Sequence, residues 1–213
     1  LNELVDELNL PALRGSLVVE PRSVNGIAGI GCRITFPHEH AQRSLADIRK
    51  IIENSGMPVQ ARELSAEAFA VLAEAEAAVH GGTKEEVHFH EVGALDSILD
   101  TCMVCRLFTV LEPARFVCSP LPMADGVISC AHGLVPSPAP AVLRMLEGVP
   151  VCGFSPPGET VTPTALSLLR ALGAKFGPWP SMTVSRAVIS YGTKVFPDAP
   201  NGSLWALGKT QGY

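Results

Sequence analysis

Charge is in short supply in this chain: Asp, Glu, Lys and Arg make up 17% of its 213 residues, against roughly 25% in ordinary soluble domains. Apolar residues other than glycine reach 47%. That balance predicts a self-association face or a surface that another domain covers. No apolar run attains the roughly 18 residues a membrane helix needs, because Arg106 and Arg115 bracket the best candidate. The chain therefore reads as soluble, with no membrane partner. No lysine–arginine cluster occurs and the formal net charge is -5, which argues against nucleic acid as a partner. A Walker loop, a Rossmann glycine pattern and a Gly-x-Ser-x-Gly elbow are also missing, so no standard nucleotide fold is supported.

The opening "LNELVDELNLP" has no initiator Met, no helix cap and no basic-then-apolar signal. The chain is expected to be a fragment or to lack its start, and its expected address is the cytoplasm. There Cys32, Cys102, Cys105, Cys118, Cys130 and Cys152 stay reduced.

What is present is a mixed alternation of patterns. Residues 1–8 read as a helix; strands near 15–21 and 27–36 flank an Asn-Gly turn and form a hairpin. Ser44 with Asp47 is a capping-box pattern that opens a helix over about 45–54. An alanine- and glutamate-rich helix over 61–80 stops at Gly81-Gly82. Residues 95–111 should form a helix that enters the core. Beyond it come strand-and-turn stretches, a short helix near 139–147, a strand at 149–152, a helix from Pro163 to about Leu172, and strands near 182–190 and 203–208. The expected class is α+β: a mixed, partly antiparallel sheet, with hairpins, packed against separated helices. Residues 1–213 are expected to form one region, with a hairpin subelement at about 14–43.

Chemistry concentrates in "VHFHEVGALDSILD", Val87 to Asp100. In an extended segment His88 and His90 leave the same face, and on a helix Asp96 and Asp100 share a stripe. A helix starting after Gly93 would aim Asp96 at the space beside the histidines, and nitrogen with oxygen ligands suits a borderline divalent ion such as nickel, zinc or manganese. The alternative is a strand–helix turn in which Asp96 merely complements the helix dipole. His38 and His40 form a second His-x-His pair, in a loop that is either solvated or metal-binding. Cys102 and Cys105 imitate a redox motif, but they fall in a buried helix and read as small hydrophobes. Cys130 and His132, before Gly133, are either a structural turn or the lining of a site. Thr162, Pro163 and Thr164 make a well-formed helix start that could also hold a phosphate.

Three stretches taken together, "EEVHFHEVGALDSILD", "SPLPMADGVISCAHGLVPSPAPAVLRMLEGVPV" and "ETVTPTALSLLRAL", resemble the nickel-insertion protein family of lactate racemase maturation (LarC). These are the pyridinium-3,5-bisthiocarboxylic acid mononucleotide nickel chelatases. The resemblance runs from about residue 1 to 201 and implies a cytosolic, lyase-type, cofactor-assembling enzyme. Such an enzyme inserts nickel into a pyridinium bisthiocarboxylate mononucleotide, forming nickel–sulfur and nickel–carbon bonds, with CTP consumed and Mn²⁺ or Mg²⁺ assisting. A racemase apoprotein is the expected client, and the sparsely charged surface leads to the expectation of a homo-oligomer.

On the same resemblance, the family's metal-associated positions correspond to His88, His90, Glu91, Asp96, Asp100, Cys130 and His132, with His38 and His40 remaining of a histidine-rich loop. Thr162 and Thr164 are carried over as contacts to the substrate phosphate. The family's opening Asp-rich segment and its C-terminal region for CTP are expected to be missing. Val195 and Ala199 stand where the family usually has Asp and Arg, and a further family Arg near Trp205 is missing; the two lost cations weaken phosphate binding there, and Ala165 in place of a Gly disfavours close backbone approach to a ligand. The rival functions are a nickel chaperone or scaffold without chemistry of its own, a degenerate structural relative, and a metal-dependent hydrolase of CTP.

Overall fold

The computed structural model describes residues 1–35, 42–89, 93–130, 132–197 and 199–210. Helix α1 spans Asn2–Asp6 and is followed by a 3-10 turn, Pro11–Leu13. It is shorter than the pattern suggested, because Asn9 takes a positive φ of 55° and turns the chain. Strands β1 (Leu17–Val24) and β2 (Ile27–Ile34) form the expected hairpin, with Val24 opposite Ile27. Asn25 and Gly26 both have positive φ, 52° and 78°, the backbone that a two-residue hairpin turn demands.

A short strand β3 (Arg43–Ser44) leads into α2 (Leu45–Glu53). The Ser44 hydroxyl accepts from the Asp47 N–H while the Asp47 carboxylate accepts from the Ser44 N–H, a complete capping box. Helix α3 (Val59–His80) ends on Gly81 in the left-handed conformation. Strand β4 (His88–Phe89) pairs antiparallel with β3, and α4 occupies Leu95–Leu111.

The second half contains β5 (Val117–Cys118), β6 (Leu121–Ala124), β7 (Val127–Cys130), β8 (Gly133–Pro136), α5 (Pro140–Met145), β9 (Val151–Phe154), α6 (Pro163–Ala171), β10 (Lys175–Phe176), β11 (Met182–Tyr191) and β12 (Ser203–Thr210). The largest sheet has the order β1-β2-β11-β12, with β2 and β11 parallel and the other pairs antiparallel. Four two-stranded ladders complete the architecture: β10–β5 and β6–β9 parallel, β3–β4 and β7–β8 antiparallel. The class is the α+β one expected.

Helix α3 is the axis of the core. Its Ala61, Ala68 and Ala73 are fully buried and let neighbouring helices approach closely, while Phe69 and Leu72 supply bulk. Around it pack Ile48 and Ile52 of α2, Ile98 and Leu99 of α4, Val142 and Met145 of α5, and Leu166 of α6. A smaller cluster joins Ala68, Cys105, Leu168 and Leu172. The buried Ser65 hydroxyl donates to the Ala61 carbonyl at 2.7 Å, so its polarity is satisfied inside α3.

Helix α4 enters the core as expected, with Cys102 and Cys105 buried, but it emerges again: Val104, Val110 and Leu111 are exposed. Cys118 is half-buried and packs against the core, and Cys152 is exposed, so Cys152 is not the core thiol that its apolar sequence surroundings predict. Cys152 lies on β9, whose inner contacts come from its neighbours in the ladder with β6. Exposed apolar side chains gather on the large sheet, where Ile30, Val188, Leu204, Trp205 and Trp179 line an open groove of about 540 Å³. Among the described residues, no helix is long and apolar enough to cross a membrane.

Candidate functional site

The β3–β4 ladder sets the direction of the histidine stretch. Arg43 is opposite Phe89 and Ser44 opposite His88. The Phe89 ring is buried, edge-on to Phe69 with centroids 6.2 Å apart. Alternation along the strand then turns His88 outward, where it is exposed. His88 stands near the start of α2: the Asp47 carboxyl is held below its ordinary range first by the Ser44 hydroxyl, then by the Ser44 N–H, with smaller help from Lys50 and His88.

Gly93 couples this ladder to α4. A Cβ there would lie 2.8 Å from the Phe89 carbonyl oxygen and 3.2 Å from the Arg43 nitrogen, so only glycine lets the backbone come this close. The Arg43 guanidinium donates to the Gly93 carbonyl at 2.8 Å. Helix α4 therefore starts at a fixed place, with Ala94 as an extended N-cap residue. Asp96 lies exposed in its first turn and accepts from the Ser97 N–H at 2.8 Å.

One turn later Asp100 keeps solvent access at its surface, yet the protein around it, and then the charge of Asp96, push its carboxyl up to about 6. The Cys32 thiol of β2 is raised too, first by burial and then by the charge of Asp100. The Asp100 carboxyl thus feels the charge of Asp96, and the Cys32 thiol that of Asp100. Sequence reasoning did not single out Cys32, because a lone cysteine in a hairpin strand carries no spacing signal.

The Cys130–Gly133 stretch is the turn of the β7–β8 hairpin, with Cys130 opposite Gly133. Strand alternation does not relate the Cys130 and His132 side chains, because Cys130 ends β7 and β8 returns antiparallel from Gly133. Cys130 is half-buried and His132 exposed. The His132 ring meets that of His80, the last residue of α3, with centroids 4.9 Å apart and planes inclined by 50°. His80 Nε2 is in turn 3.7 Å from the Glu76 carboxylate. Neither His80 nor Glu76 was suggested by a motif; each looks like an ordinary helix-surface residue.

At the start of α6 the Thr162 hydroxyl accepts from the Ala165 N–H at 3.2 Å, and the Thr164 carbonyl accepts from the Ser167 hydroxyl at 2.9 Å. The loop before it carries a cation: the Lys194 ammonium donates to the Glu159 carbonyl at 3.1 Å and lies 4.8 Å from the Phe196 ring centre. Val195, beside Lys194, is exposed and Ala199 is half-buried. His38, His40, His90 and Glu91 lie outside the described residues. Among the described residues, no group of three or more His, Cys, Asp or Glu side chains converges as a ready metal cage.

The family model described as nickel insertion protein matches residues 1–211. A relative from Geobacter metallireducens, whose name also refers to nickel insertion, is 40% identical over 208 residues, covering 98% of this chain and 53% of the relative. The pyridinium-3,5-bisthiocarboxylic acid mononucleotide nickel insertion protein of Staphylococcus saprophyticus is 38% identical over 194 residues, covering 91% of this chain and 49% of that protein. The chain thus spans about half the length of the curated relatives it matches. No solved structure matches it. With a family model covering nearly all of its residues, this chain belongs to the nickel insertion protein family.

Proposed function

We propose that this chain is the nickel-handling part of a protein that inserts Ni²⁺ into a pyridinium-3,5-bisthiocarboxylic acid mononucleotide. The ion is cargo: it is held by side chains that can release it, and the substrate's two thiocarboxylate sulfurs take their place. The observation that carries this reading is the Asp96–Asp100 carboxylate pair on α4, with the Cys32 thiol feeling the charge of Asp100. Two carboxylates one turn apart, one of them pushed up to about 6 by burial and by the other's charge, gain from a divalent cation between or beside them. A neighbouring thiol adds the softer donor that nickel accepts.

His88, with His90 and Glu91, completes the donor set in this proposal, since the Gly93–Arg43 clamp keeps α4 joined closely to the β3–β4 ladder. His38, His40, Cys130 and His132 are additional donors on the route of the ion. Formation of the metal–carbon bond displaces a ring proton, which a carboxylate beside the ion and not bound to it can accept. Thr162 and Thr164 hold the substrate phosphate at the α6 start, with Lys194 as the nearby cation. CTP, with Mn²⁺ or Mg²⁺, is the co-reactant, and the reaction is a lyase-type chelation in the cytoplasm. The racemase apoprotein is the recipient, and the apolar sheet face serves self-association.

The test uses the longer protein that contains this chain, supplied with Ni²⁺, CTP and the bisthiocarboxylated mononucleotide. Absorption of the nickel–sulfur product should develop with the parent and fall at least tenfold with His88→Ala/His90→Ala and with Asp100→Asn. Unchanged yields in those variants would refute the ligand assignment. A second reading, a scaffold that only delivers the ion, is favoured by the lack of a three-residue cage among the described residues. It predicts nickel uptake with no change in the absorption of the mononucleotide.

A further inference from the structure

We propose a two-imidazole nickel station formed by His80 and His132, with Glu76 orienting the His80 ring. It lies at the joint between the α3 C-terminus and the β7–β8 turn and uses none of Asp96, Asp100 and Cys32. The choice of nickel as its ion rests on the proposed function; the pair itself rests on geometry.

The spacing of the rings is that of two ligands on one ion. A metal–nitrogen bond of about 2.1 Å puts each ring centre about 3.2 Å from the ion, and an angle of about 100° between ligands then separates the centres by about 4.9 Å. The observed separation is 4.9 Å, with the planes inclined by 50° and not stacked. The two rings come from remote parts of the chain and are both exposed, so an ion can reach them. Glu76 lies 3.7 Å from His80 Nε2, longer than a hydrogen bond; by closing to accept from that nitrogen when Nδ1 takes the ion, it would give the carboxylate–histidine–metal order that fixes an imidazole ligand. The setting is also favourable to positive charge, because His80 is in the last turn of a 22-residue helix, where the helix dipole is negative.

Two protein ligands leave most of the coordination sphere open. That suits an ion in transit, since sulfur donors of a substrate, or the half-buried thiol of Cys130 two residues before His132, can add before the imidazoles leave. A closed four-ligand cage would hold nickel as a structural ion does.

The experiment is a Ni²⁺ titration of this 213-residue chain, followed by calorimetry and by the visible absorption of bound nickel, alongside His80→Ala, His132→Ala, the double variant, Glu76→Gln and His88→Ala. All four positions changed are exposed or partly exposed, and far-ultraviolet circular dichroism checks the fold. The parent should bind an ion that His80→Ala and His132→Ala each weaken tenfold or more. The double variant should be no worse than the stronger single one, because both rings serve one ion. Glu76→Gln should weaken that event about tenfold, and His88→Ala should leave it in place. Binding by His80→Ala or His132→Ala at the parent's affinity and stoichiometry would overturn the station, as would a parent that binds no nickel. Loss of the station with normal product formation in the longer protein would leave the insertion reading standing; loss of product with the station intact would count against that reading alone.

Discussion

The Arg43 guanidinium reaches across from β3 to the Gly93 carbonyl at 2.8 Å, and the Gly93 backbone lies so close to Phe89 that a Cβ would come within 2.8 Å of its carbonyl oxygen. These two contacts fix where α4 begins. Arg43→Ala should cost about 2 kcal/mol, the usual range for a partly buried hydrogen bond with a charged donor. Gly93→Ala should cost more, since the obstructing atom is backbone and the α4 start must move. Urea midpoints of the two variants against the parent check this, and the proposed function adds that Gly93→Ala should weaken nickel uptake.

Asp100 carries a pH dependence of definite sign. Its carboxyl is raised from 3.8 to about 6 by burial and then by Asp96, so between those values the folded protein binds more protons at this site than the unfolded chain. Stability contributed by Asp100 is therefore lost as pH rises through that window. Asp100→Asn should be more stable than the parent above about pH 6 and equal to it below about pH 4. Thermal unfolding of both proteins across this range gives the difference directly; a difference of the same size at both ends would refute the assignment.

The thiols should separate by reactivity. Burial pushes Cys102 up to about 12 and Cys105 up to about 11, so neither forms thiolate at neutral pH. Cys152 is exposed, and Cys32 is exposed but raised by burial and by Asp100. A disulfide reagent at pH 8 should therefore modify Cys152 first and Cys32 more slowly, while Cys102 and Cys105 react only after unfolding. Mass spectrometry of the modified peptides reads the order.

Arg106 and Glu7 join α4 to the chain just after α1 with paired contacts of 2.7 and 3.2 Å. Both side chains are mostly covered, 17% and 25% exposed. Glu7→Gln should cost about 1–2 kcal/mol, the scale of a charge-assisted pair. The loss should persist at 0.5 M salt, or roughly a Debye length of 4 Å, in contrast to the exposed Arg33–Glu20 pair. Denaturation at low and high salt distinguishes the two.

Most elements of the fold were legible because their signals are local. The Asn25-Gly26 turn, the Ser44–Asp47 box, the Gly81 stop and the limits of α4 each depend on residues within a turn or two of one another. The β7–β8 hairpin was legible only as one of two alternatives, a structural turn or the lining of a site, because a Cys-Ala-His-Gly sequence also looks like a motif. The order β1-β2-β11-β12 was not legible at all, since the parallel contact between β2 and β11 is made by only two residue pairs far apart in the chain.

The sequence by itself determined the α+β class, the outward-and-inward alternation of His88 and Phe89, and the Asp96–Asp100 stripe, because periodicity alone dictates which side chains share a face. Its long motifs also determined the family. Tertiary structure alone decided that the charge of Asp100 reaches Cys32 and that the His132 ring meets that of His80. Those neighbours are set by how a hairpin and a helix end pack against distant elements, and packing across long loops leaves no periodic trace in the chain.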